Sequence, residues 1–169
     1  MFEKKAPVPT LAEYQSGWIA ACASVVPEPI STVALVNPPG AVAGLAAGIA
    51  GRSLGGLVGK AIATTVAANH VGPPAMERPL PAVLAVALTA SSVHLIEVEP
   101  TGPDADDLRL IGVFDVWDRQ GLRLDVSRKV MSERLGFTLA DGRRIELDGM
   151  FGARSKERLY QPLVDQLSA

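Results

Sequence analysis

Apolar residues recur every third or fourth position near the start of the chain and every second position through most of its later half. The first period is that of one buried helix face and the second that of a strand with one wet side. Pro9-Thr10 followed by Glu13 is a capping box, in which hydroxyl and carboxylate satisfy free backbone donors at a helix start. A helix over 10–25 follows, with Leu11, Tyr14, Trp18, Ala21, Cys22 and Val25 on its buried face. Pro27 and Pro29 end it, and the β-branched run ISTVALV (30–36) between prolines is a strand.

From Ala82 onward the pattern shortens into strand-length runs separated by turn residues. AVLAVALT (82–89) and VHLIEVE (93–99) flank a turn at Ala90-Ser91-Ser92, and LRLIGVFDVWD (108–118) follows the loop PTGPDADD. LRLDVSRK (122–129) follows Arg119-Gln120-Gly121, while ERLGFTLA (133–140) and RRIELDG (143–149) are joined by Asp141-Gly142, a strong hairpin signal. Leu122, Leu124 and Val126 alternate with Arg123, Asp125 and Ser127, as Leu135, Phe137 and Leu139 do with Arg134, Gly136 and Thr138. One face is buried and the other solvated. Leu159, Leu163, Val164 and Leu167 predict a final helix capped by Ser155, with Pro162 in its interior.

Between these patterned regions lies GAVAGLAAGIAGRSLGGLVGKAIA (40–63), where Gly40, Gly44, Gly48, Gly51, Gly55 and Gly59 keep a helical rhythm. On a helix they share an arc of about 100°. Each costs about 1 kcal/mol relative to alanine, so the stripe gives up about 5 to 6 kcal/mol. A close backbone contact offsets such a loss, as small-residue stripes do in packed helix pairs. The rest of the wheel is apolar, with Arg52, Ser53, Lys60 and Thr64 on one side. Residues 40–68 are therefore expected to form a docking helix. Three partners compete for it: the helix at 10–25, which ranks first, the same segment of a second copy, or a membrane surface.

The predicted architecture is α+β, mainly β with helices. It is a seven-stranded antiparallel barrel or sandwich capped by a C-terminal helix, with a helical segment (1–29) packed on the core. The glycine-rich helix (40–68) and a proline-rich connector (69–81) are inserted after the first strand of the domain at 30–169. This element order, with LGFTLADGRRIELDG leading into a helix, resembles the pleckstrin-homology-like (PH-like) fold, including bacterial relatives and GRAM-type variants. It is also similar to actinobacterial proteins that join a glycine-rich helix to such a domain. The resemblance implies two near-orthogonal sheets plugged by the last helix. It also implies inositol-phosphate binding at a basic loop after the first strand, and the chain departs from that pattern because the glycine segment replaces the loop.

With 169 residues, the chain is long enough for one domain with a real core. Lys+Arg 16 against Asp+Glu 18 gives a formal charge of -2, no field for nucleic acid. Cys22 is the single cysteine, so neither an intrachain disulfide nor a cysteine zinc site is expected; a reducing cytoplasm fits, and MFEKKAPVPT does not read as a signal peptide. A span over 29–51 is broken by Asn37-Pro38-Pro39, and extending to Ala68 buries Arg52 and Lys60. Gly59-Lys60 fails the P-loop spacing, and the strand-turn-helix at 33–44 lacks Gly-x-Gly. His70 and His94 are isolated, and Asp104, Asp106 and Asp107 lack the closing glutamate of a calcium loop. No catalytic residue, metal ligand or cofactor is expected. Arg52, Lys60, Arg143, Arg144, Arg154, Lys156 and Arg158 are the candidate contacts to an anionic lipid surface, weighed against an ordinary solvated face. The expected function is a non-enzymatic binding or scaffolding module acting through self-association or another protein, with peripheral membrane binding as the alternative.

Overall fold

The computed structural model describes residues 7, 9–40, 79–101, 107–130, 132–152 and 157–168. Helix α1 spans Leu11–Cys22, and strands β1 to β7 follow at Thr32–Asn37, Leu84–Leu88, Ser92–Thr101, Asp107–Asp118, Arg123–Arg128, Glu133–Thr138 and Arg144–Gly149. Helix α2, Gln161–Leu167, closes the order. The capping box forms as expected: the Thr10 hydroxyl accepts from the Glu13 N–H, and the Thr10 N–H donates to the Glu13 carboxylate at 2.6 Å.

All seven strands join one antiparallel sheet in the order β4-β3-β2-β1-β7-β6-β5. Two sheets were expected. Instead β1 pairs with β2 along its length and with β7 only at Val36↔Gly149 and Asn37↔Asp148, making the sheet continuous. Inward residues of both halves, among them Val86, Leu95, Trp117, Phe137, Ile145 and Leu147, nevertheless share one core with Tyr160 and Leu163. The sheet must curl for its two halves to meet in this way.

The opposite face of β1 to β4 carries a second core beneath α1. Tyr14, Trp18 and Cys22 press against Val33, Leu35, Ala85, Ala87, Ile96 and Val98. Ala85 and Ala87 leave room for the stacked Tyr14 and Trp18 rings, whose centroids lie 5.4 Å apart. Alternate residues of β1 thus face different cores, Val33 and Leu35 one and Ala34 and Val36 the other. That burial on both faces is why this strand reads as an unbroken apolar run. Where β7 does not reach, the Gln15 side chain takes over the edge of β1, donating to the Val33 carbonyl and accepting from the Val33 N–H at 3.0 Å.

Three local expectations are corrected. Val26 is buried and Val25 exposed, because the helix ends at Cys22 and the turn after it changes the facing. Val126 lies on the open edge strand β5 and is exposed despite its place in the alternation. Helix α2 starts at Gln161, so Pro162 occupies its first turn, where a missing N–H breaks no helical bond. Before this helix, Phe151 is bridged to Arg158 and the Gly152 N–H donates to the Glu157 carbonyl at 2.9 Å, while the expected cap Ser155 lies outside the described residues.

Two glycines are required by close approach. A Cβ at Gly149 would collide with the buried Tyr160 ring, and one at Gly136 with the Arg144 guanidinium. The ring is buried, whereas the guanidinium ends a half-exposed side chain and is held by a surface pair with Asp125. Gly149→Ala is therefore expected to lower stability by about 1 to 3 kcal/mol, an overpacking penalty. Gly136→Ala should cost below about 1 kcal/mol, since it displaces only a surface ion pair. Chemical denaturation of both variants checks the ordering, and equal losses would contradict it.

Candidate functional site

The candidate docking stripe begins at Gly40, the one member of it among the described residues. Gly40 adopts φ +82°, and its N–H donates to Asp148 Oδ2 at 2.9 Å. A positive φ is readily taken up by glycine, so the chain leaves β1 by a turn that suits this residue. Asp148 is buried and also accepts from Arg134 Nε at 3.0 Å, and Arg134 reaches Glu146 at 3.6 Å. The departure point of the glycine segment is thus held by a buried carboxylate of β7. Gly44, Gly48, Gly51, Gly55, Gly59, Arg52, Lys60, Arg154 and Lys156 lie outside the described residues.

The other predicted cations, Arg143, Arg144 and Arg158, each meet a carboxylate. Arg143 Nε lies 2.6 Å from Asp141, and Arg144 grips Asp125 with both terminal nitrogens at 2.6 and 3.0 Å. Arg158 donates to Glu133 at 2.7 Å. The Arg143 N–H and guanidinium hold the Asp141 carboxyl below its usual range, and Arg144 does the same for Asp125. Asp125 in turn pushes the Arg144 guanidinium up. These pairs neutralise the three described cations among the seven that the sequence singles out. Arg158 sits in the bridge to Phe151 rather than in the first turn of the last helix, as its sequence position suggests.

Sequence reasoning missed two other groups. The first surrounds the β2–β3 turn. The Ser91 hydroxyl donates to both Glu28 oxygens at 2.6 and 2.8 Å, and Ser92 Oγ lies 2.8 Å from His94 Nε2 and 2.9 Å from Thr89 Oγ1. The Ser91 hydroxyl, and after it that of Thr89, holds the Glu28 carboxyl below its ordinary value. An open concavity of about 640 Å³ adjoins, lined by Ser91, Ser92, Trp117, Asp118, Arg119 and Gln120. A Ser–His contact invites a nucleophilic reading, which needs a third group to orient the imidazole. Among the described residues His94 Nδ1 has no hydrogen-bond partner. The arrangement instead ties the turn together, with Arg119 donating to the Thr89 carbonyl at 2.8 Å. Burial among apolar neighbours raises the Cys22 thiol to about 11, which disfavours the reactive thiolate.

The second group is the β5–β6 turn, closed by the Lys129 N–H donating to the Ser132 carbonyl at 2.8 Å. Val130 at its tip is fully exposed and Arg128 and Lys129 beside it are exposed. The signal was present in the sequence as Arg-Lys-Val-Met where a turn ordinarily carries Gly, Asn, Asp or Ser. No cluster of His, Cys, Asp or Glu among the described residues could hold a metal ion, and no described helix is long and apolar enough to cross a membrane. No protein-family model matches the chain, and comparison with curated proteins finds no match.

Tyr160 joins the last helix to β6 by donating its hydroxyl to Glu133. Burial, then the Glu133 bond and charge, raises the tyrosine above its ordinary value of 10.0. An acid so raised keeps its proton in the fold after the unfolded chain has lost it. Its stabilising effect is therefore complete below pH about 10 and declines as pH rises past that point, by at most about 1.4 kcal/mol per unit. Cys22, raised from 9.0 to about 11, adds a loss of the same sign between those values. Thermal melts of wild type and Tyr160→Phe at pH 8 to 11 should show a shallower alkaline decline in the variant; parallel curves would refute the assignment.

Proposed function

We infer that this chain is a non-catalytic binding module of PH-like architecture that displays the glycine-striped segment 40–68 for helix packing with a second copy or another protein. One observation carries the reading. β1 and β2 are adjacent antiparallel partners from Thr32↔Leu88 to Val36↔Leu84, and a hairpin between such strands needs about 2 to 5 residues. Here the connection runs from residue 38 to residue 83. A connection of that length, apolar over most of 40–68, exceeds what closing the hairpin requires. The strand order and the terminal helix packed on the inner core support the PH-like comparison. A pinned exit at Gly40 supports the segment as a displayed element.

Static light scattering after size exclusion, on wild type and Gly48→Leu, tests this. Wild type is expected to exceed the monomer mass, and Gly48→Leu to shift toward monomer by filling the stripe. A variant joining Gly40 to Pro79 through a short glycine-serine linker should remain cooperatively folded and monomeric. A wild type that stays monomeric, alone and with candidate partners from its source, removes the reading.

A further inference from the structure

Described cations fall into two sets. Arg109, Arg134, Arg143, Arg144 and Arg158 are ion-paired to Glu99, Asp148, Asp141, Asp125 and Glu133, and Arg119 is bound to a carbonyl. Arg123, Arg128 and Lys129 engage no carboxylate or carbonyl through their side chains among the described residues. All three lie on β5 or the turn that follows it. Two of them, Arg128 and Lys129, immediately precede Val130, the most exposed apolar side chain described. Met131 comes next in sequence.

The neighbourhood extends this chemistry. β6 begins beside the last residues of β7, Arg134 facing Asp148, so the β5–β6 turn and the link after β7 leave the sheet on adjacent strands. Phe151 of that link is 41% exposed, standing edge-on to Tyr160 with centroids 5.8 Å apart. Glu133, the carboxylate nearest the turn, is already engaged by Arg158 and Tyr160. Glu157 is the exposed acid of the link. Val130 is fully exposed and is preceded by two exposed long cations, an arrangement that suits a deformable anionic surface. Cationic stems can lie along lipid while their heads reach phosphates.

We propose that the β5–β6 turn is a docking tip for an anionic lipid bilayer, with Val130 entering the headgroup boundary and Arg128 and Lys129 meeting lipid phosphates. The proposal rests on the binding-module reading and supplies one partner for it. The tip lies on a different connection from the loop after the first strand, where the family resemblance puts anion binding; β6, into which it leads, is two strands over from β1, with Asn37, Asp148 and Arg134 in register.

Co-sedimentation of the full chain with phosphatidylcholine vesicles, with and without phosphatidylserine, tests it. Wild type is expected to pellet only with the anionic vesicles and less so as salt rises. Each cation near the surface is worth about fivefold, so Arg128→Gln with Lys129→Gln should weaken partitioning roughly 30-fold. Val130→Asp should weaken it by at least about tenfold. Substitution at an exposed turn leaves the melting temperature unchanged. Val130→Trp reads insertion directly: its emission should be quenched by brominated phosphatidylcholine, against a background from the buried Trp18 and Trp117. No binding by wild type, or equal binding by wild type and both sets of variants, or an unquenched Trp, each overturns the proposal. Equal binding would assign the membrane contact to another part of the chain. Light scattering on these same variants reports the binding-module reading separately, so the two can fail independently.

Discussion

The short pairing of β1 with β7, secured by the buried Asp148 carboxylate, is the contact on which the rest of the molecule depends. β1 to β4 form one antiparallel run and β5 to β7 another, and they join through Val36↔Gly149 and Asn37↔Asp148. Two residue pairs are little backbone bonding for such a junction. Asp148 reinforces it from the side, taking Arg134 from β6 and the Gly40 N–H from the chain just beyond β1. The Met150 N–H adds a bond to the Leu35 carbonyl at 3.1 Å. A charge buried to this degree is tolerated because its lone pairs are occupied, and removing either partner leaves it uncompensated. The same atoms that close the sheet therefore fix where the glycine segment departs.

Packing on both faces follows from this closure. Once β7 has joined β1, the inner faces of both halves enclose Trp117, Phe137 and the last helix, while the outer face of β1 to β4 is left for α1. Gln15 completes the edge of β1 that β7 leaves open, so the helix contributes backbone partners as well as apolar area. An orphaned strand group at that position would cost about 1 to 3 kcal/mol. The first helix is thus integral to the fold.

Much of this was legible in the chain. The Thr10–Glu13 box, the seven strand runs and the Asp141-Gly142 turn each rest on local chemistry that needs no tertiary information, and each stands in the structure. What escaped prediction depended on partners distant in sequence. The run LRLIGVFDVWD does not alternate because β4 carries irregularities opposite Leu95/Ile96 and Glu97/Val98, which place Leu108 and Leu110 against one core and Phe114 and Trp117 against the other. The pairing of Arg144 with Asp125 across β6 turns an apparently free cation into half of an ion pair. Val130 falls between the strand runs 122–129 and 133–140, and the turn at Lys129 to Ser132 shows its full exposure.

Functionally, the molecule joins a sheet that is continuous among its described residues to two elements: the long connection that leaves it at Gly40 and the cationic tip at Val130. Both readings presuppose that the sheet is rigid where they attach, and that rigidity traces to Asp148. Backbone hydrogen exchange on wild type and Asp148→Ala measures it directly. If Asp148 holds the junction, the Gly40, Gly149 and Met150 amides lose about 100-fold or more in protection in the variant, the cost of breaking a buried pair, while β2–β3 amides lose less. Unchanged protection at Gly40 and Met150 would contradict this, showing the two halves held together by their shared core alone.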